Sequence, residues 1–132
     1  MEQGGTVTTN LVALAITILI RVESDGYNQH HADHGQGVGI LSTHKIMVRE
    51  ANRVYGEPYF SAEDRTDPFL SCAMAKIYLG WATEHYHISD VQRLCWRWNK
   101  PHGGLPSAAY RKRVNDAYNA IVKKPVDAKT AQ

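Results

Sequence analysis

Long apolar runs, cysteine and charge of one sign are all scarce in this sequence, and each shortage removes a class of protein. The longest apolar stretch covers residues 11–20, half of the roughly 20 residues that a bilayer-spanning helix requires. Glu2 precedes it without any Lys or Arg, and Arg21 and Glu23 follow it. A secretory signal needs a basic start and a small-residue cleavage site, so none is read here. The run is expected to be a core helix, and any export would use a route that does not read this N-terminus. Two cysteines, Cys72 and Cys95, cannot build a disulfide framework. Neither lies in a CxxC, and both have helix-interior neighbours, which favours free buried thiols over a single bridge. Thirteen acidic residues against fifteen basic ones leave a net charge of +2, less than a protein living by phosphate neutralisation usually carries. With 43% hydrophobic residues, disorder is excluded as well.

What is present suits one mostly α domain, with a core over residues 8–122 and a polar tail over 123–132. No repeat, low-complexity tract or linker interrupts its 132 residues. A first helix is expected from Thr8–Asn10, which suit an N-cap, to about Ser24. Residues 26–43 hold Gly26, Gly35, Gly37 and Gly39 and read as a loop or short hairpin. Thr43 is placed to cap a helix over 44–55. Ser61 and Asp64 form a capping-box pattern opening a short turn. Asp67 and Pro68 then start a longer helix, with Asp at the N-cap and Pro at the first helical position. Ser89 and Gln92 form a second capping-box pattern, for a helix reaching Trp98. After a Gly/Pro loop over 99–106, Ser107 caps a last helix ending near Val122, and Pro125 stops it.

The first candidate for chemistry is Glu23, at the end of the most hydrophobic helix and just before the Gly-rich loop. Partial burial there would disfavour the charged carboxylate and raise its pKa toward ~6, useful in a general acid. A helix-terminal Glu held by Arg21 or a backbone donor is the equal alternative, although the carboxyl end of a helix is a poor place for a structural anion. The loop is not a phosphate cradle. Ile40 stands where a G-x-G-x-x-G needs its third glycine, and a helix rather than a strand precedes it. Trp98 and Asn99 offer a ring for stacking on a sugar and an amide for its hydroxyls. Trp98 as a core residue is the competing reading, because Trp96 and Trp98 cannot both face inward on one helix.

Taken in order, Val22-Glu23-Ser24-x-Gly26-x-Asn28, Gly35-x-Gly37-Val38-Gly39-Ile40-Leu41, Trp98-Asn99 and Tyr110-Arg111-Lys112-Arg113-Val114 resemble the lysozyme-like superfamily. That superfamily contains the soluble lytic transglycosylases and goose-type lysozymes, and the likeness is closest to its small phage-type members. It spans roughly residues 10–122. It implies a mostly α fold that cleaves the β-1,4 bond between N-acetylmuramic acid and N-acetylglucosamine in peptidoglycan, with no cofactor. Carried over, Glu23 is the catalytic acid and Ser24 supports it. Gly37, Val38 and Gly39 line the substrate cleft, while Asn99 and Tyr110 contact the sugar or orient Glu23. Asp33 matches an acid that positions the attacking water in goose-type lysozymes, and a further acid of those enzymes falls at His44. Two departures touch the implied cleft: Ser42-Thr43, and Lys100-Pro101-His102 inserted between Trp98-Asn99 and Gly103-Gly104.

The resemblance leaves two chemistries open. Glu23 and Asp33 together would hydrolyse the bond with inversion if their carboxyls stand about 6.5–9.5 Å apart. Glu23 alone, acting as acid and then base, would let the muramyl 6-hydroxyl attack and release an anhydro product. A different class of reading, motivated by the two departures, is a non-catalytic virion or cell-wall module that binds glycan or virion proteins. Delivery inside a virion, or release from the host cytoplasm through a holin-like pore, follows from the resemblance alone. His30, His31, Asp33 and His34 could ligate zinc, but their spacing fits no standard site. Arg111, Lys112 and Arg113 with Lys123 and Lys124 read as a solvated face rather than a nucleic-acid surface, and a mild positive charge suits an anionic cell wall.

Overall fold

The computed structural model describes residues 2–32 and 36–122. Its elements in chain order are α1 (Glu2–Glu23), β1 (Gln29–Ala32), β2 (Gly37–Gly39), α2 (Lys45–Tyr55), a 3-10 turn (Ala62–Thr66), α3 (Pro68–His85), α4 (Val91–Asn99) and α5 (Ala108–Ile121). The domain is mostly helical, as its composition and periodicity lead one to expect. No helix among the described residues is long and apolar enough to cross a membrane.

The apolar run of α1 forms the centre. Val12, Ala15, Ile16, Ile18 and Leu19 are all buried, a wider stripe than a surface helix needs. The wide stripe is used because three helices surround α1. Ala75, Tyr78, Leu79 and Ala82 of α3, Leu94, Cys95 and Trp98 of α4, and Tyr110, Val114 and Ala117 of α5 close the same core. Each fully buried large side chain contributes about 1.5–3 kcal/mol. A smaller cluster, Val48, Ala51, Phe60 and Met74, seats α2 on α3. Asn52 pins the connecting loop by donating to the Phe60 carbonyl and accepting from the Phe60 N–H, each at 2.9 Å.

Several helix ends fall where the capping chemistry puts them. Asp67 Oδ1 accepts from the N–H groups of Phe69 and Leu70 at 2.8 and 3.2 Å. Ser107 Oγ accepts from Tyr110 N–H at 3.1 Å, and Asp64 reaches back to Ser61 N–H at 2.9 Å. Three starts differ from expectation. Helix α1 begins at Glu2, so Thr8–Asn10 lie inside it. The cap of α2 is His44, not Thr43, because Thr43 is engaged one step earlier in a β-bridge to Val38, N–H to carbonyl in both directions at 2.8 and 3.1 Å. The cap of α4 is Asp90 rather than Ser89; its Oδ1 accepts from Gln92 N–H at 3.0 Å. A carboxylate adjacent to the first turn takes precedence over the hydroxyl before it.

The glycine-rich segment is a hairpin: β1 and β2 pair antiparallel, with Gln29 opposite Gly39 and Ala32 opposite Gly37. It is tied to the 3-10 turn by Arg65. Its buried guanidinium donates to the carbonyls of Ala62, Gln36 and Thr43 at 2.9, 3.2 and 3.0 Å. Those three acceptors give the buried charge the hydrogen bonds that burial requires.

The candidate active site

Glu23 closes α1, and four elements converge on it. Immediately after it, the Ser24 hydroxyl donates to the Ile40 carbonyl at 2.6 Å and accepts from Gly26 N–H at 3.2 Å. Ser42, with a left-handed φ of 47°, donates its hydroxyl to the Glu23 carbonyl at 3.2 Å. From α4, the Trp98 indole N–H donates to the Leu41 carbonyl at 3.0 Å. The segment Ile40-Leu41-Ser42 is therefore fastened to the end of α1 on one side and to α4 on the other. This fixes the backbone that carries the acid.

The side chain of Glu23 is held separately. Tyr110, from α5 and only 4% exposed, donates its hydroxyl to Glu23 Oε2 at 2.6 Å. Burial, then the neighbouring Glu23 carboxylate, pushes the Tyr110 hydroxyl far above its ordinary pKa. It thus stays a donor over any working pH. Cys95 also lies in this region. Burial first, and the Glu23 charge second, raise its thiol, and it points to the Ala15 carbonyl at 3.6 Å. Both Cys95 and Cys72 are free, as their sequence neighbourhood suggests, but only Cys95 is buried; Cys72 is half-buried.

A cleft of about 240 Å³ opens on Glu23. Ser42, His44, Ile46, Trp98, Asn99 and Lys100 are among its walls, and Glu23 is the one carboxylate among the lining residues. The loop after α4 is held over it by the Tyr78 hydroxyl, which donates to the Pro101 carbonyl at 2.9 Å. Burial pushes the Tyr78 hydroxyl up to about 12, so this bond too persists at neutral pH.

Glu23, Trp98 and Asn99 meet in this cleft, and Ser24 and Tyr110 support it from behind. The Trp98 ring is only 5% exposed. It forms part of the core and of the cleft floor rather than a free stacking platform. Gly37, Val38 and Gly39 are buried and are not among the lining residues. Gly39 packs on the 3-10 turn and Gly37 on Ser42, so these glycines serve the hairpin's packing rather than a ligand. The departures Ser42 and Lys100-Pro101 do line the cleft, whereas Thr43 is buried beside it. Ile46 and Met47 also line it, although their helical spacing reads simply as core. His44 faces the cleft from the start of α2. Asp33 and His34 lie outside the described residues, while His30 and His31 belong to β1. Among the described residues no group of His, Cys, Asp and Glu could hold a metal.

The chain matches no family model, no curated protein and no solved structure.

The basic stretch on α5 is dispersed. Lys112 pairs with Asp116 at 2.8 Å, and Arg111 Nε donates to the Pro106 carbonyl at 3.1 Å. Arg113 stands 5.4 Å from the centre of the Tyr110 ring.

Tyr110→Phe removes only the hydroxyl that holds Glu23. Activity that depends on Glu23 is expected to fall about tenfold, the usual scale of a hydrogen bond to a charged group. Losing a donor to the ionised carboxylate favours its protonated form. A group acting as an acid would then stay protonated to higher pH, and the alkaline limb of the pH–rate profile would move upward. A fallen rate with an unmoved limb would show that Tyr110 only packs.

Proposed function

We propose that this protein is a muramidase that cleaves the β-1,4 bond between N-acetylmuramic acid and N-acetylglucosamine in peptidoglycan, with Glu23 as general acid. One observation carries the reading: a carboxylate at the end of the central helix opens on a cleft, and a buried tyrosine hydroxyl donates to its Oε2 at 2.6 Å. Asn99 and Lys100 on the rim offer an amide and a cation to a polar, anionic glycan. The motifs shared with the lysozyme-like superfamily supply the substrate class, and virion or host-cytoplasm delivery to the cell wall belongs to the same proposal.

In this mechanism Glu23 protonates the glycosidic oxygen as the bond to the anomeric carbon breaks. The resulting oxocarbenium-like centre is captured by water that gives its proton to Asp33 in a hydrolase, or by the muramyl 6-hydroxyl, whose proton returns to the Glu23 carboxylate, in a lytic transglycosylase. We favour hydrolysis, with Asp33 positioning the water. Digestion of purified peptidoglycan followed by mass spectrometry of the released muropeptides tests this, since reducing ends mark hydrolysis and anhydro ends mark transglycosylation. Asp33→Asn should reduce the yield of reducing ends by about 10²-fold or more, in line with loss of a general base. Unchanged hydrolysis in Asp33→Asn would remove Asp33 from the mechanism. No bond cleavage by the wild-type protein would overturn the enzyme reading and leave a glycan-binding module.

A further inference from the structure

A second and larger cleft, about 430 Å³, lies across the 100–104 loop from Glu23, within the size range of small-ligand sites. Tyr86, His87, Asp90, Arg93, Trp96 and Arg97 are among its walls. Its chemistry is cationic. Arg93 and Arg97 are one turn apart on α4 and so share a face, and the one lining carboxylate, Asp90, already caps that helix. Like charges at this spacing repel one another, and neither arginine has an ion-pair or hydrogen-bond partner among the described residues.

Two residues of the cleft wall, Trp96 and Arg97, carry donors without acceptors. The Arg97 guanidinium lies over the Tyr86 ring, its central carbon 3.5 Å from the ring centre. A guanidinium over a ring is attracted by the ring face, and its five N–H donors leave it further capacity to bond an acceptor. Arg97 Nε and the Trp96 indole Nε1 are both buried with no hydrogen-bond partner, and a buried unpaired donor costs about 1–3 kcal/mol. The loop is shaped around the arginine. Gly103 has φ +97°, and a Cβ there would stand 3.0 Å from Arg97 Nη1.

We propose that this cleft is a binding site for an oxyanion, the carboxylate or phosphate group of a small ligand, held by Arg93, Arg97 and the Trp96 indole N–H. The Arg97 guanidinium presents a planar fork that matches a two-oxygen acceptor, and an arriving anion supplies the acceptor these donors lack while relieving the repulsion between the arginines. The site is separate from the Glu23 cleft and does not depend on the muramidase reading.

The test is a titration of the full chain at low ionic strength, followed by NMR at the indole and arginine Nε–H signals, with inorganic phosphate in one arm and glutarate in the other. Saturable shifts of the Trp96 indole signal are expected, with the Trp98 indole unmoved. Arg93→Gln, an exposed substitution, should weaken binding at least tenfold, and Arg97→Lys should weaken it while keeping the charge. Saturation by phosphate alone or glutarate alone assigns the ligand's anionic group. Shifts that drift linearly without saturating in both arms, or an affinity unchanged in Arg93→Gln, would overturn the proposal. Because no glycan is used, failure here leaves the result of peptidoglycan digestion standing.

Discussion

Glu23→Gln is expected to abolish clearing of a peptidoglycan gel, with a loss of at least about 10³-fold in rate, while the protein stays folded. General acid catalysis is worth roughly 10²–10⁴-fold, and Glu23 is the one carboxylate among the lining residues of its cleft. The amide keeps the size of the carboxyl and still accepts the Tyr110 hydroxyl, so the 2.6 Å contact loses charge assistance but not its partner. The melting temperature should therefore move by less than about 5 °C. Clearing that persists in Glu23→Gln would sink the assignment of the acid. Loss of clearing together with a collapse in melting temperature would show that the carboxylate's role is structural.

The second large effect is on stability. Gly39→Ala should destabilise the fold by about 3–5 kcal/mol, seen as a fall of roughly 10–20 °C in the thermal midpoint. Two independent causes add. Gly39 has φ +86°, and a Cβ built on it would lie 1.9 Å from the Arg65 carbonyl oxygen. The obstacle is backbone, and it cannot swing aside, since the same oxygen accepts the buried Ser71 hydroxyl at 2.8 Å. Gly26→Ala is the control: its φ of +89° is similar, but nothing lies within 4 Å of the added carbon. Its cost should stay near the 1 kcal/mol or so of a left-handed alanine. Equal losses in the two variants would mean that conformation rather than collision dominates at Gly39.

The helices were legible because their signals are local. An Asp-Pro pair, a Ser three residues before an acid, and apolar spacing of three and four act within one or two turns. The cap at His44 was not, since the bridge that takes Thr43 away is made with Val38 on a neighbouring strand. The same division runs through the site. Glu23 could be picked out from its place between a hydrophobic run and a glycine-rich loop. That Gly39 answers to Arg65, that Trp98 turns its N–H to Leu41, and that Ile46 and Met47 reach the cleft are consequences of packing between segments distant in the chain. Sequence alone could name Tyr110 only through a family likeness; its hydroxyl bond to the acid is a property of the assembled core.

The bond between Tyr110 and Glu23 joins residues 87 positions apart, so it exists only in the assembled core. The packing of α4 on α1 spans a similar distance, Cys95 reaching the Ala15 carbonyl across 80 positions. The carboxylate is gripped only when α5 is docked on the core. While the chain is being made, the acid emerges early and its clamp late. The grip on Glu23 is thus a property of the finished domain, and any event that undocks α5 would release its carboxylate and strip one wall from α1 as well.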